Sequence, residues 1–165
     1  MGSFSLLCIF VLILIIGNSH ITKAQDSPAN YLNIHNMARA ELGINMTNLV
    51  WDNKIAAFAQ NYANKCKDCK VIPSHKEAYG YGENIAVIAG NLSGVDAVKL
   101  WVAERPLYNW YVEMCEGGAE CHHYTQVVWG SSRRVGCGKV KCDDGRLFVS
   151  CNYYPAGNIP GEVPF

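Results

Sequence analysis

The sequence is short of several things that whole classes of protein require. After residue 24 no apolar run approaches the roughly 20 residues of a bilayer-spanning helix, so the mature chain is expected to be soluble. Neither sign of charge dominates: 14 Lys and Arg face 14 Asp and Glu across 165 residues. That balance provides no cationic surface for a polyanion, and nucleic acid is not an expected partner. No H-E-x-x-H helix, G-x-S-x-G elbow or other complete catalytic signature occurs, so nothing points to an established enzyme chemistry. A single C-x-x-C, Cys66 to Cys69, has no second copy with which to build a zinc ribbon. The C-terminus carries no Lys-Asp-Glu-Leu retention signal.

What is present begins with an apolar run from Phe4 to Ile16, followed by Gly17, a short polar stretch and Thr22-Lys23-Ala24. This predicts a signal peptide over residues 1–24, cut after Ala24, although its start has no Lys or Arg and relies on the α-amino charge. The remaining segment, 25–165, has a length suited to one domain with its own core. Export then sets the redox state. Of eight cysteines, Cys8 leaves with the signal; the seven that remain predict three bridges and one thiol. Asn45-Met46-Thr47 and Asn91-Leu92-Ser93 fit the N-glycosylation pattern. The expected destination is the extracellular space, with the vacuole as the alternative.

Along the mature chain, Ser27-Pro28 reads as an N-cap and first helical residue, and Tyr31, Ile34, Ala38 and Leu42 follow at helical spacing before Gly43. His35, on the same helix, reads as a packing histidine. A second helix begins after Asp52, with Ile55, Phe58, Ala59, Tyr62 and Ala63 on one stripe. Residues 67–92 are rich in Gly, Pro, Ser and Asn and are expected to be irregular. Ser93 caps a third helix through Val95, Val98, Trp101 and Val102, stopped by Pro106. A shorter helix is expected over His123 to Trp129. Two strands, Arg134 to Cys142 and Arg146 to Tyr153, flank Asp143-Asp144-Gly145.

If that connection is a three-residue loop with Gly145 at the left-handed bulge position, Cys137 lies directly opposite Cys151, within disulfide range. Cys142 is five residues from Cys137 and points to the other face of the sheet, so it needs another partner; Cys69 is the natural candidate. Cys115 and Cys121 flank Gly117-Gly118 and can close on each other.

Two segments carry a family resemblance: His123-Tyr124-Thr125-Gln126-Val127-Val128-Trp129, and Phe148 to Asn158 with Cys151-Asn152-Tyr153-Tyr154-Pro155 at its centre. Val50-Trp51-Asp52, Ala59 to Asn64, Gly82-Glu83-Asn84 and Leu100 to Glu104 support them in order. The mature chain thus resembles the superfamily of cysteine-rich secretory proteins, antigen five and pathogenesis-related class 1 proteins (CAP), in its plant branch. The resemblance implies an α+β fold, a disulfide-stabilised three-layer α-β-α sandwich, and the three pairings above. Cys66 is extra to the plant pattern, which leaves it as the free thiol.

The resemblance also implies a cleft of two histidines and two glutamates. Glu83, Glu104 and His123 match by motif. The fourth position holds Pro73 where plant relatives have histidine, and the first imidazole nearby is His75. Such a set suits a divalent ion such as zinc with water in the open positions; the alternative is a polar network that orders the cleft without turnover. His122 reads as a solvated neighbour. A second implied site is a lipid-binding loop at Pro106, Leu107, Tyr108, Trp110 and Tyr111, taking sterol or a related lipid; the alternative is that these aromatics pack on the sheet. The tail 155–165 resembles a segment that some plant members release as a signalling peptide, though Tyr154 stands where Asp usually precedes the cut. The function these readings favour is extracellular antimicrobial defence by a monomer that needs no cofactor and binds a sterol or the membranes of microbes. The alternatives are a metal-assisted hydrolase, or the precursor of a peptide recognised by a receptor.

Overall fold

A computed structural model describes residues 26–74, 76–118 and 120–165; the expected signal peptide, 1–24, and His75 lie outside them. Helix α1 runs from Pro28 to Ala40, with the Ser27 side chain accepting from the Asn30 N–H. After a short strand β1, Val50–Trp51, helix α2 covers Asn53–Ala63. The Asp52 carboxylate accepts from the Lys54 and Ile55 N–H groups at its start and also pairs with Arg134 at 2.9 Å. Strand β2 spans Gly82–Ile88, and helix α3 spans Gly94–Val102 behind a complete Ser93/Asp96 capping box. A small hairpin follows, β3 (Tyr108–Asn109) with β4 (Met114–Cys115), then helix α4, His122–Val127. Strands β5 (Arg134–Lys141) and β6 (Leu147–Tyr154) complete the chain before the tail.

The main sheet has the order β1-β5-β6-β2, with β1 parallel to β5 and the other pairs antiparallel. Its two faces carry separate cores. On one, Val135, Val149, Cys151 and Tyr153 meet Tyr31, Val98, Trp101, Tyr124 and Val127 of α1, α3 and α4. On the other, Val140 and Phe148 meet Tyr62 and Ala63 of α2. Three layers result, as the family resemblance implies. Helix α2 lies so close that a Cβ on Gly136 would sit 2.1 Å from the Ala56 amide nitrogen, and one on Gly138 2.3 Å from that of Gln60. Only glycine permits this approach of two backbones.

Cys137 stands opposite Cys151 in the β5–β6 register and is bridged to it. Cys69 bridges Cys142, Cys115 bridges Cys121, and Cys66 is a buried free thiol. Gly145 takes φ +88° in the connection, which suits the left-handed bulge position.

Residues 67–92 are not irregular throughout. A 3₁₀ turn occupies Lys76–Tyr79, and β2 forms a full ladder with β6 from Gly82↔Tyr153 to Ile88↔Leu147. Gly, Glu and Asn have weak strand preference, and pairing with a strand some seventy residues away overrides it. Phe58 is half-buried rather than on the fully buried stripe, its ring against Tyr79 and Tyr81.

Candidate functional site

The Glu104–His123 pair is built from the end of one helix and the start of another. Helix α4 has no side-chain cap of its own, since Cys121 makes no capping bond. Glu104, just past α3, supplies one: its Oε2 accepts from the N–H groups of His123 and Tyr124, each at 3.1 Å. A carboxylate at this end satisfies free N–H groups and complements the helix dipole. The other oxygen, Oε1, lies 2.7 Å from His123 Nδ1. In that contact the Nδ1–H donates, because a carboxylate oxygen only accepts. The imidazole stacks on Trp101, 6.1 Å between ring centres with planes 17° apart.

Behind the histidine runs a buried polar chain that the sequence did not reveal. Asn84 Nδ2 donates to the His123 carbonyl (2.9 Å) and to the Tyr153 hydroxyl (3.3 Å). That hydroxyl meets His35 Nε2 at 2.8 Å, while His35 Nδ1 reaches the Tyr31 carbonyl at 2.8 Å. With Nδ1–H donating to the carbonyl, Nε2 must accept, so every member is satisfied in one direction. Burial pushes the His35 imidazole down to about 4 and raises the Tyr153 phenol, so neither carries charge at neutral pH. Arg39, one turn beyond His35, is also buried, and its guanidinium donates to the carbonyls of Thr47, Val127, Trp129 and Ser132. Its spacing from His35 on an otherwise apolar helix face was the available signal.

Glu83 does not join the pair. It is adjacent to Asn84 in β2 and therefore faces the opposite side of the sheet, where it accepts from Ser74 Oγ and Asn152 Nδ2, both at 3.0 Å. Among the described residues, the one trio of acidic, histidine or cysteine ligand atoms that converges is Cys69, Cys142 and Asp144, and its two sulfurs are committed to a disulfide. His123 and Glu104 alone fall short of the three protein ligands that catalytic zinc uses. The fourth expected donor, His75, lies outside the described residues, and no catalytic step is routed through a metal.

The aromatic segment after Glu104 runs from a 3₁₀ turn, Arg105–Leu107, into the β3–β4 hairpin, and its Tyr108 joins the core on that face of the sheet. Tyr108 is buried, its ring 6.5 Å from Tyr124, and Trp110 meets it edge-on at 5.6 Å. Tyr111 is 98% exposed, and Pro106, Leu107, Val112 and Met114 are also exposed. His122 is exposed beside its buried neighbours, as are Asn45 and Asn91, so both asparagines are open to a glycan.

The tail is less free than its Pro/Gly content suggests. Gly157 N–H donates to Gln126 Oε1 (3.0 Å), Asn158 clasps Thr125 Oγ1 (2.7 Å) and the His122 carbonyl (2.8 Å), and Gly130 N–H reaches the Pro164 carbonyl (2.5 Å). Phe165 rests on Trp110, 4.5 Å between centres. Between hairpin, α4 and tail lies a cavity of about 580 Å³, within the range of small-molecule sites.

Comparison with known proteins agrees with this architecture. The pattern of the cysteine-rich secretory protein family (CAP) matches residues 32–153. Pathogenesis-related leaf protein 6 of Solanum lycopersicum is 45% identical, with 100% of each chain covered. Pathogenesis-related protein 1 of Arabidopsis thaliana is 48% identical over 87% of this chain and 85% of its own. The structure of Schistosoma mansoni venom allergen-like protein 4 superposes with a TM-score of 0.70 at 25% identity, covering 85% of this chain and 94% of its own. The chain belongs to the cysteine-rich secretory protein family, among its plant pathogenesis-related class 1 members.

Proposed function

We propose that this chain is a secreted plant defence protein that acts by binding a sterol or related lipid, not by catalysis, at the hairpin and the cavity beside it. The observation that carries this reading is the hairpin itself. Trp110 and the almost fully exposed Tyr111 project beside a cavity of about 580 Å³ lined by Tyr108, Met114, Trp129 and Ile159. Amphipathic aromatic rings suit a lipid or membrane boundary, and exposed Val112 and Met114 extend that surface toward a microbial membrane. The names of the plant relatives support a role in defence. Three disulfides suit the oxidising extracellular space. On this reading the protein works as a monomer and needs no metal.

The test is a sterol-binding titration on refolded mature protein, with and without a chelator. Saturable binding is expected to survive both the chelator and His123→Ala, and to be lost in the Trp110→Ala/Tyr111→Ser double variant, whose substituted residues are exposed. Binding that disappears with the chelator or with His123→Ala, or turnover that requires zinc, would overturn the reading in favour of metal-assisted hydrolysis.

A further inference from the structure

The cavity beside the hairpin has a charge that a neutral lipid leaves unused. Three carboxylates line it, each from a different segment: Glu113 in the hairpin turn, Glu120 just before α4, and Glu162 in the tail. All three residues are exposed. No lysine or arginine lines the cavity, and among the described residues none of the three carboxylates has an ion-pair or hydrogen-bond partner. The wall beneath them is apolar, with Trp129 and Ile159 among its residues.

One polar group in that wall is unsatisfied. Tyr108 is 4% exposed and lines the cavity, yet its hydroxyl has no hydrogen-bond partner among the described residues. Its pKa is raised first by burial and then by the Glu113 carboxylate, the one member of the rim that acts on it. A buried hydroxyl without a partner is rare and calls for a group that completes it.

We propose that this cavity binds amphiphiles whose polar end is a protonated amine. This rests on the hairpin and cavity being a lipid site, and adds the class of head group. The chain or ring system of the ligand covers Trp129 and Ile159, and the ammonium lies at the mouth, in the field of the three glutamates and on the side of the Tyr108 ring. The other head groups fit less well. A carboxylate or phosphate is repelled by three like charges, and a neutral alcohol leaves those charges unopposed. A bare divalent ion needs converging oxygens, and these carboxylates do not form a close trio.

A matched series of probes tests this: dodecylamine, dodecanol and dodecanoate, titrated at pH 7 against the mature protein while tryptophan fluorescence is followed. Dodecylamine is expected to bind about tenfold tighter than dodecanol, as several partly screened charge contacts allow. Dodecanoate should be weakest, and the amine preference should shrink in high salt. The Glu113→Gln/Glu162→Gln double variant should bring the amine to the level of the alcohol and leave the alcohol unchanged. Equal binding of amine and alcohol, a preference that persists in the double variant, or amine binding only where the probe forms micelles overturns the inference while sparing the lipid site. Absence of saturable binding by all three probes overturns both.

Discussion

The Nε2 atom of His35 lies 2.8 Å from the hydroxyl of Tyr153, 118 positions further along the chain and on the neighbouring layer. Both side chains are buried, so this contact joins α1 to the sheet through a histidine that must stay neutral. Burial, with the Arg39 charge nearby and against the pull of the Tyr31 carbonyl, lowers its pKa from 6.5 to about 4.

The sign of the pH effect follows. Between pH 6.5 and 4 the unfolded chain takes up a proton at this position that the folded chain refuses, so stability falls as the pH drops through that window and levels off below it. The loss at the acid end is on the order of 3 kcal/mol, at 1.36 kcal/mol per pKa unit. Urea unfolding at pH 7 and at pH 4.5 should show the difference. His35→Gln, which can still hydrogen-bond but does not titrate, should flatten it; an unchanged slope would assign the acid sensitivity elsewhere.

Arg39 is held by carbonyls alone. Substitution by Met keeps much of the length but withdraws a donor from four carbonyls, and each buried group left unsatisfied, the Val127 carbonyl first, costs about 1–3 kcal/mol. The expected result is a loss of at least about 3 kcal/mol in chemical denaturation, with Arg39→Lys recovering part of it. A variant as stable as the parent would show that water replaces the guanidinium.

Glu104→Ala removes the cap on α4 and the partner of the His123 ring together. Loss of a helix N-cap costs about 0.5–2 kcal/mol. Glu104→Gln should retain part of the cap, because its carbonyl oxygen still accepts from the two backbone N–H groups. Both variants should alter the NMR signals of the His123 ring. Unchanged signals in Glu104→Ala would mean that the carboxylate does not fix the imidazole.

Gly138→Ala places a methyl group against the backbone of α2, where no side chain can move aside. A destabilisation of about 3 kcal/mol or more is expected, at the upper end for overpacking. Thermal melts compared with Gly145→Ala separate the causes, since Gly145 has open space around its Cβ position and pays only for its positive φ.

Much of this molecule is legible where local chemistry decides. Ser27, Asp52 and Ser93 each mark a helix start because the cap acts within three residues. The Cys137–Cys151 bridge follows from a hairpin whose turn sets its own register. What stayed hidden depends on distant partners. Strand β2 begins with residues of low strand preference and exists because β6 lies beside it. The placement of Glu83 and Asn84 on opposite faces follows at once from alternation, but only after that stretch is known to be a strand. Arg39 is marked only by its spacing from His35 on an apolar helix face; its acceptors, backbone carbonyls up to 93 positions away, carry no mark in the sequence. The hold on the tail is of the same kind: Gly157 and Asn158 are fixed by Gln126 and Thr125, 31 and 33 positions earlier, and carry no local mark of it.

The clasp on that tail governs how it could ever leave. Peeling residues 155–165 from the body requires Phe165 to lift off Trp110 and Asn158 to release α4, so liberation of the peptide is controlled by a local opening equilibrium. A protease would then meet a substrate only for the fraction of time that the strap is undone, and anything wedged between strap and hairpin would lengthen its life.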